Sequence, residues 1–320
     1  MSADRHWLHG LAGWRFGAQA LGVLVPGYCF SRLMRTSVAF DARCILSFDC
    51  DFPRDVAVLP SLVELLGQYG YGASFACIGQ WVKRYPEEHR CLVEAGHEII
   101  NHTETHPNLY HPAHDYAQGE GMTREYFNLI GLEGRRLEIE RGHHTIADIL
   151  GVEPTGFRTP HFGNLHVDDV YGLLTELGYL YSTSVLAAGP GTLPFKTREG
   201  IWEIPLSPCP QHPFGVFDSW HSIGKNNPRH AGQGEMAALF ARLLDATVDG
   251  GLVNIYLDPY DAMKSGELLR MLEIMKDRGV ASSSYGSLCD DLQCDAKKNS
   301  AAGWTATGFS GMTDIPYKEG

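Results

Sequence analysis

Residues 44–51 of the chain are Cys-Ile-Leu-Ser-Phe-Asp-Cys-Asp, an apolar run that ends in two aspartates. A short apolar run of this kind is typical of a buried strand. Asp49 and Asp51 lie two residues apart, so one carboxylate can point into a site while the exit of the chain from the strand redirects the other. The stretch therefore predicts a strand that carries two carboxylates at its end.

A second polar cluster follows downstream, where residues 101–106 are Asn-His-Thr-Glu-Thr-His. His102 and His106 are four residues apart, and we expect a helical turn to place both imidazoles on one face. One aspartate and two histidines supply three protein ligands and leave positions open for water and substrate. A hydrolytic metal centre needs this arrangement, so the two clusters together predict a metal site.

Composition narrows the class of protein. Of the 320 residues, 44% are apolar, as in globular proteins with a substantial core. The net charge of −12 and the lack of a long basic run argue against a nucleic-acid partner. The eight cysteines include no C-x-x-C pair, and we interpret them as buried thiols in a reducing compartment, although an even count does not exclude a disulfide.

The N-terminal residues 16–30 are moderately apolar and are flanked by arginines. Three glycines and Pro26 within this run, together with its length, argue against an export signal and against a membrane span. We expect an N-terminal extension that packs on the main domain of a cytoplasmic protein. Peripheral membrane contact is the alternative.

From about residue 40, short apolar runs alternate with amphipathic stretches, which predicts repeated β/α units. The predicted strands are 44–48, 73–78, 98–101, 156–158, 179–183, 201–204, 252–257 and 280–282. The predicted helices are 60–68, 87–95, 132–150, 167–177, 234–248 and 265–277.

The same pattern divides the chain into an extension at 1–39, one catalytic domain at 40–294 and a small polar tail at 295–320 that we expect to lack core contacts. Residues 205–233 form a long irregular stretch that is rich in turn formers and aromatic side chains. This stretch either forms a wall of the substrate groove or is a surface loop with its aromatic residues packed inward, and both alternatives stay open.

Three segments resemble the motifs of the NodB-type polysaccharide deacetylases, carbohydrate esterase family 4. They are Phe-Asp-Cys-Asp at 48–51, Gly-His-Glu-Ile-Ile-Asn-His-Thr-Glu-Thr-His at 96–106 and Phe-Arg-Thr-Pro-His-Phe at 157–162, in the order found in the family. The resemblance extends over about residues 40–293. It implies an α/β fold, a distorted (β/α) barrel in a single domain, with the metal at the C-terminal ends of the strands.

The resemblance also implies roles for the residues of the first two motifs. Asp51, His102 and His106 resemble the family's metal ligands, and a divalent cation, zinc by preference, is the expected cofactor. Asp49 resembles the general base. This division is chemically reasonable because a carboxylate bound to a cation is a poor base, whereas a second carboxylate can still accept a proton.

In the third motif, Arg158 resembles the arginine that orients the base, and the backbone N–H near His161 resembles the donor to the oxyanion. The fifth motif departs from the family, because Asp258 stands before Pro259 where relatives carry a histidine that acts as general acid. An aspartate can protonate a leaving amine only if burial raises its pKa. His161 is the alternative proton donor.

These features predict a hydrolase of carbon–nitrogen bonds that removes an acetyl or formyl group from an amino sugar, and we expect a lipid-linked or nucleotide-linked saccharide as substrate. Two alternatives stay open. One is a carbohydrate-binding or regulatory protein that has lost turnover, against which Asp49 and Arg158 argue because a metal site needs neither. The other is a hydrolase of a non-sugar cyclic amide. The sequence predicts no oligomeric state.

Overall fold

The computed structural model describes residues 20, 22–34, 43–107, 125–186, 193–213, 215–219, 235–247 and 251–301. Its centre is one eight-stranded sheet with the strand order β6-β7-β5-β4-β3-β2-β1-β8. All neighbouring strands are parallel except β6 and β7, which are antiparallel. The strands are β1 Arg43–Cys50, β2 Ser74–Cys77, β3 Glu98–Asn101, β4 Gly156–Phe157, β5 Tyr181–Ser182, β6 Phe195–Lys196, β7 Trp202–Glu203 and β8 Leu252–Leu257.

Strand β1 lies between β2 and β8 and is buried at every residue after Arg43. Continuous burial rather than alternation is expected of a parallel strand that is covered on both faces. The polar Ser47 is tolerated there because its hydroxyl donates to the Ile255 carbonyl at 2.8 Å. The apolar run at 44–48 therefore forms the strand that the sequence predicts.

Helices cover the sheet, and each of the six predicted helices is present within three residues at either end. Four further helices follow a strand or end the described chain, and one precedes β1. The helices are α1 Pro26–Leu33, α2 Pro53–Ala57, α3 Leu59–Tyr69, α4 Gly79–Arg84, α5 Pro86–Glu94, α6 Gly131–Leu150, α7 Asp169–Glu176, α8 Glu235–Asp245, α9 Pro259–Ser265, α10 Glu267–Asp277 and α11 Tyr285–Ala301.

The predicted strand at 280–282 is wrong. Ser282 forms only an isolated parallel bridge with Cys44. Strand β2 pairs with β1 only from Ser47 onward, so the edge of β1 beside Cys44 is open and accepts a single residue of the passing chain. The contact is therefore a bridge that covers the start of β1.

The two ends of the chain are described in part. Phe30 and Met34 lie in the main hydrophobic core, 7% and 2% exposed, so the described N-terminal segment packs on the domain. At the other end, α11 continues through residue 294 to Ala301, past the predicted start of the tail, and residues 302–320 lie outside the described part. Among the described helices, none is long and apolar enough to cross a membrane. The described residues include all eight cysteines, none of which forms a disulfide, and six of them are buried.

Candidate active site

Polar side chains meet where four parallel strands end. Asp49 lies near the end of β1 and Asp51 follows it, His102 follows β3, Arg158 follows β4 and Asp258 follows β8. Because these strands are parallel and belong to one sheet, their carboxyl ends lie at the same edge. The sheet therefore brings the predicted site residues of distant motifs to one place.

Asp51, His102 and His106, the candidate ligand set, could hold a metal ion. The Nε2 atoms of His102 and His106 lie 3.4 Å and 3.6 Å from Asp51 Oδ1, and the three potential ligand atoms all lie within 4.8 Å of one another. All three atoms are buried and lack a hydrogen-bond partner. A buried polar atom without a partner costs about 1–3 kcal/mol, and a bound cation would satisfy all three atoms. One carboxylate and two imidazoles suit zinc.

The orientation of His102 is fixed by a backbone carbonyl. Its Nδ1 lies 2.8 Å from the carbonyl oxygen of Arg158, to which the Nδ1–H donates. This hydrogen bond leaves the Nε2 lone pair directed at Asp51, in the manner of metal-bound histidines whose second nitrogen is held by an acceptor. The residue that follows β4 thus supplies the group that orients a candidate ligand on the loop after β3.

The helical turn expected at His102 and His106 is wrong, because residues 102–107 form a loop. Thr103 and His106 have φ values of 69° and 52°. The Thr103 N–H donates to Asn101 Oδ1 at 2.9 Å, and the His106 N–H donates to Thr103 Oγ1 at 3.0 Å. These bonds close the loop on itself and bring the imidazole centroids to 4.7 Å. The two imidazoles therefore lie close together because of the loop conformation and not because of a helical turn.

The protonation states of Asp51 and His106 suit metal binding. Burial lowers the pKa of His102, but the Asp51 and Asp49 carboxylates outweigh burial, so the pKa of His102 is raised. Burial raises the pKa of the Asp51 carboxyl, but His106 and His102 lower it by more than burial raises it. The pKa of Asp51 therefore lies below its usual range. Burial lowers the pKa of His106 to about 4. Asp51 is therefore a carboxylate and His106 a neutral imidazole at neutral pH, which are the forms that bind a metal.

Asp49 forms a buried ion pair with Arg158. Asp49 is 1% exposed and Arg158 is fully buried, and Arg158 Nη1 donates to Asp49 Oδ1. The other carboxylate oxygen, Oδ2, lies 3.9 Å from His102 Nε2. Burial raises the pKa of Asp49 above its usual range, and Arg158 and His102 oppose this shift. Asp49 is accordingly a stronger base than an exposed aspartate, and it lies beside the metal-ligand set.

Arg158 is held by residues that the motifs do not contain. Its Nη2 donates to Ser47 Oγ at 2.8 Å and to the Tyr285 hydroxyl at 2.7 Å, and that hydroxyl donates to Asn254 Oδ1 at 2.6 Å. Ser47 and Asn254 are polar residues within mainly apolar strand sequences. That pattern could have identified them as partners of a buried polar group. Tyr285 begins α11 and has no such signal.

His161 lies near the candidate ligand set on the loop after β4. It has a left-handed conformation with a φ of 60°. It contributes to lowering the pKa of Asp51 and the pKa of His106. The neighbouring Phe162 N–H donates to the Thr159 carbonyl at 3.0 Å. The donor to an oxyanion near His161 is therefore not the N–H of Phe162.

Strained backbone is confined to two loops in the described part of the chain. A non-glycine residue with positive φ costs of order 1–3 kcal/mol, and such residues cluster at functional sites. The described residues with this conformation are Thr103, His106, His161 and Phe162. All four lie on the loops that carry predicted site residues.

Asp258 is a buried acid at the start of α9. It is 7% exposed, Ser219 Oγ donates to its Oδ2 at 2.8 Å, and its own N–H donates to Ser219 Oγ at 2.5 Å. Burial raises its pKa well above the usual range, and Asp55 and Asp51 raise it further. Asp258 therefore meets the condition under which an aspartate can act as an acid at neutral pH.

Asp258→Asn is expected to lower turnover by about 10²- to 10⁴-fold and to leave metal binding nearly unchanged, since Asp258 is not in the ligand set. Steady-state rates and metal stoichiometry measured on one preparation check this. Ser219→Ala, which removes the hydroxyl that contacts Asp258, should show a smaller loss. Unchanged turnover in Asp258→Asn would exclude Asp258 as the acid.

The irregular stretch at 205–233 is described at 205–213 and 215–219. Phe217 is fully buried and stacks on Phe240 with ring centroids 6.4 Å apart, so this aromatic residue packs inward. Ser219, two residues later, contacts Asp258. The stretch therefore contributes both to the core and to the site, whereas its further aromatic and histidine residues Phe214, Trp220 and His221 lie outside the described residues.

Helix α6 packs directly against the loop of the metal ligands at Gly142. A Cβ atom at this position would lie 2.5 Å from Asn101 Oδ1 and 2.7 Å from the Thr103 carbonyl carbon. The second of these atoms belongs to the backbone and cannot move without shifting the loop. A side chain at 142 would therefore displace the segment that places His102 and His106.

Gly142→Ala is expected to destabilise the protein by about 1–3 kcal/mol and to weaken metal binding by about 10- to 100-fold. Urea denaturation and metal titration measure the two effects. Gly67→Ala is the matched control, because Gly67 is helical and a Cβ there meets nothing within 4 Å. That variant should gain about 0.5–1 kcal/mol in stability. Wild-type metal affinity in Gly142→Ala would show that the loop does not depend on this contact.

Comparison with known proteins shows what this fold is similar to. Residues 41–182 match the family model described as "Polysaccharide deacetylase", which confirms the resemblance carried by the three motifs. The fold is similar to that of a putative polysaccharide deacetylase from Mycobacterium smegmatis, with a TM-score of 0.65 and 17% identity over 82% of this chain and 94% of that one. The predicted distorted (β/α) barrel of the NodB type is thereby confirmed.

Two curated relatives match shorter segments. A chitooligosaccharide deacetylase of Bradyrhizobium sp. (strain ANU 289) is 42% identical over 64 residues, which cover 20% of this chain and 28% of the relative. A peptidoglycan-N-acetylglucosamine deacetylase of Bacillus cereus (strain ATCC 14579) is 35% identical over 68 residues, 21% of this chain and 24% of the relative. The chain thus spans about a quarter of the length of these relatives. The family-model match contains all three motifs and ends before Asp258.

Proposed function

We propose that the protein is a metal-dependent hydrolase that removes an N-acyl group, acetyl or formyl, from an amino sugar of a saccharide. One observation carries the proposal. Three buried, unpartnered ligand atoms of Asp51, His102 and His106 converge beside the buried pair of Asp49 and Arg158. The relatives named for chitooligosaccharides and peptidoglycan support a saccharide as the substrate class.

Asp51, His102 and His106 would hold the divalent cation, and zinc suits this donor set. When bound, the cation supplies Lewis-acid polarisation of the acyl carbonyl and a lowered pKa of water. Asp49 accepts the proton of the attacking water through Oδ2 while Oδ1 stays with Arg158, so the base keeps its orientation during the transfer.

Two further groups complete the reaction. A backbone N–H near His161 donates to the oxyanion that develops on the acyl oxygen. Asp258 gives a proton to the leaving amine, for which its raised pKa suits it, and His161 is the alternative donor. The amine then leaves as a free amino sugar, and the acyl group leaves as a carboxylate.

The Asp49–Arg158 pair favours an enzyme over a carbohydrate-binding protein of the same fold, because binding a cation requires neither residue. A carbohydrate-binding protein without turnover stays an alternative because Asp258 stands where the family has the histidine that acts as general acid. We further propose a cytoplasmic enzyme whose saccharide is lipid-linked or nucleotide-linked. Hydrolysis of a non-sugar cyclic amide is a third candidate.

Metal analysis combined with amine release tests the proposal. The substrates are N-acetylated and N-formylated saccharides in free, nucleotide-linked and lipid-linked form, with a cyclic amide as a non-sugar control. We expect bound metal and a free amine from at least one saccharide. Bound metal without product from any substrate would support the binding protein, and product from the cyclic amide alone would support the third candidate.

A further inference from the structure

Large apolar side chains are exposed together at the start of the described chain. Four residues form this N-terminal apolar patch. They are Val23, Leu24, Val25 and Tyr28, which are 81%, 76%, 43% and 41% exposed. Val23 and Leu24 have the highest exposure of any large apolar side chain in the described residues. Contiguous exposed apolar residues of this kind mark surfaces that bind a partner.

The other side of the same segment is anchored in the protein. Cys29 and Phe30 are buried, Met34 is 2% exposed, and Phe30 and Met34 belong to the main hydrophobic core. The backbone is ordered through this region, since the N–H groups of Tyr28 and Cys29 both donate to the Val25 carbonyl, at 3.1 Å and 3.2 Å. The patch therefore belongs to a segment that is packed on the domain, so binding at the patch would attach the whole domain to the partner.

The charge of this end of the chain is opposite to that of the remainder. The first 36 residues contain four arginines, one aspartate and neither lysine nor glutamate, whereas the rest of the chain contains 22 basic and 37 acidic side chains. The first 36 residues also contain Trp7 and Trp14. A sequence that combines arginine and tryptophan with exposed aliphatic side chains has the composition of segments that lie in the interface of an anionic membrane.

We propose that the N-terminal apolar patch binds the surface of an anionic lipid membrane. The aliphatic side chains enter the acyl boundary, Tyr28 lies at headgroup level, and the arginines neutralise lipid phosphates. A second copy of the chain fits less well. Four side chains fall far short of the roughly 20–30 residues on each side of a stable interface. This inference does not depend on the proposed function.

Flotation of the full chain with lipid vesicles tests the inference. The probes are vesicles of phosphatidylcholine alone and of phosphatidylcholine mixed with phosphatidylglycerol. We expect the protein to float with the mixed vesicles and to be released by added salt, because arginine contacts with lipid phosphates are screened. Leu24→Glu should lower the partition coefficient by at least about tenfold, and Arg15→Gln combined with Arg35→Gln should lower it by about fivefold per arginine.

Leu269→Glu is the matched control, since Leu269 is 41% exposed on α10 and lies outside the patch. This variant should float like the wild type. Neither glutamate enters the core, and an unchanged urea midpoint checks that both variants are folded. Failure of the wild type to float with either vesicle, or equal flotation of the wild type and Leu24→Glu, would overturn the inference. Dimerisation of the wild type that Leu24→Glu abolishes would instead assign the patch to a second copy of the chain.

Discussion

Asp49→Asn is expected to lower kcat by about 10²- to 10⁴-fold while the protein still binds its metal. The amide of asparagine retains an oxygen that can accept from Arg158, but it cannot accept a proton at neutral pH. Asp49 is not in the ligand set of Asp51, His102 and His106, so the site that holds the cation remains. The expected signature is a large loss of kcat with metal stoichiometry unchanged.

Steady-state kinetics and metal analysis on the same preparation measure this separation. Asp277→Asn is the matched control, because it makes the same substitution at an exposed position on α10 and should leave both quantities unchanged. Asp51→Asn should instead lose metal and turnover together. Wild-type kcat in Asp49→Asn would remove Asp49 from the mechanism, and a parallel loss of metal would assign it to the ligands.

Arg158→Met is expected to destabilise the folded protein by about 3–5 kcal/mol. Arg158 is fully buried, and its removal leaves the Asp49 carboxylate without its counter-charge in a site that excludes water. It also removes the donor to Ser47 and Tyr285. Urea denaturation of the metal-free protein measures the loss without a contribution from ligand binding.

The double variant Asp49→Asn/Arg158→Met separates the ion pair from general disruption of packing. Its destabilisation should be smaller than the sum of the two single variants, because the second substitution removes a charge that the first has left unpaired. Arg278→Met is the matched control. Arg278 pairs with the exposed Asp245 at 2.6 Å, and its loss should cost only about 0–1 kcal/mol. Strict additivity in the double variant would show that the buried pair carries no specific coupling.

The sequence predicted the parts of the fold that have long, uniform patterns. The bounds of β3 and β8 coincide with the predicted 98–101 and 252–257, because the buried Ile99 and Ile100 mark β3 and a largely apolar, fully buried run marks β8. Strand β6 has no such pattern, since both of its residues are exposed. The short helices α2, α4 and α9 have at most seven residues, fewer than helical periodicity needs to be recognised.

The sequence predicted the site residues that lie within one motif. It did not predict the contacts between residues that are far apart in the sequence. The spacing of His102 and His106 predicted a ligand pair, but it did not show that positive φ values at Thr103 and His106 create the geometry. Tyr285 contacts Arg158 across 127 residues of sequence. Ser219, which donates to Asp258, likewise lies in a stretch with no periodic pattern. Neither contact has a local signal that sequence patterns can report.

We propose that Asp51, His102 and His106 hold a cation that amide hydrolysis requires. The most direct measurement is amine release from an N-acetylated chitooligosaccharide by metal-depleted protein as zinc is added back, for the wild type and His102→Ala. The wild type is expected to regain activity in proportion to added zinc up to one equivalent per chain, and His102→Ala is expected to stay inactive. Full activity of the depleted wild type before zinc is added, or equal reactivation of His102→Ala, would contradict the claim.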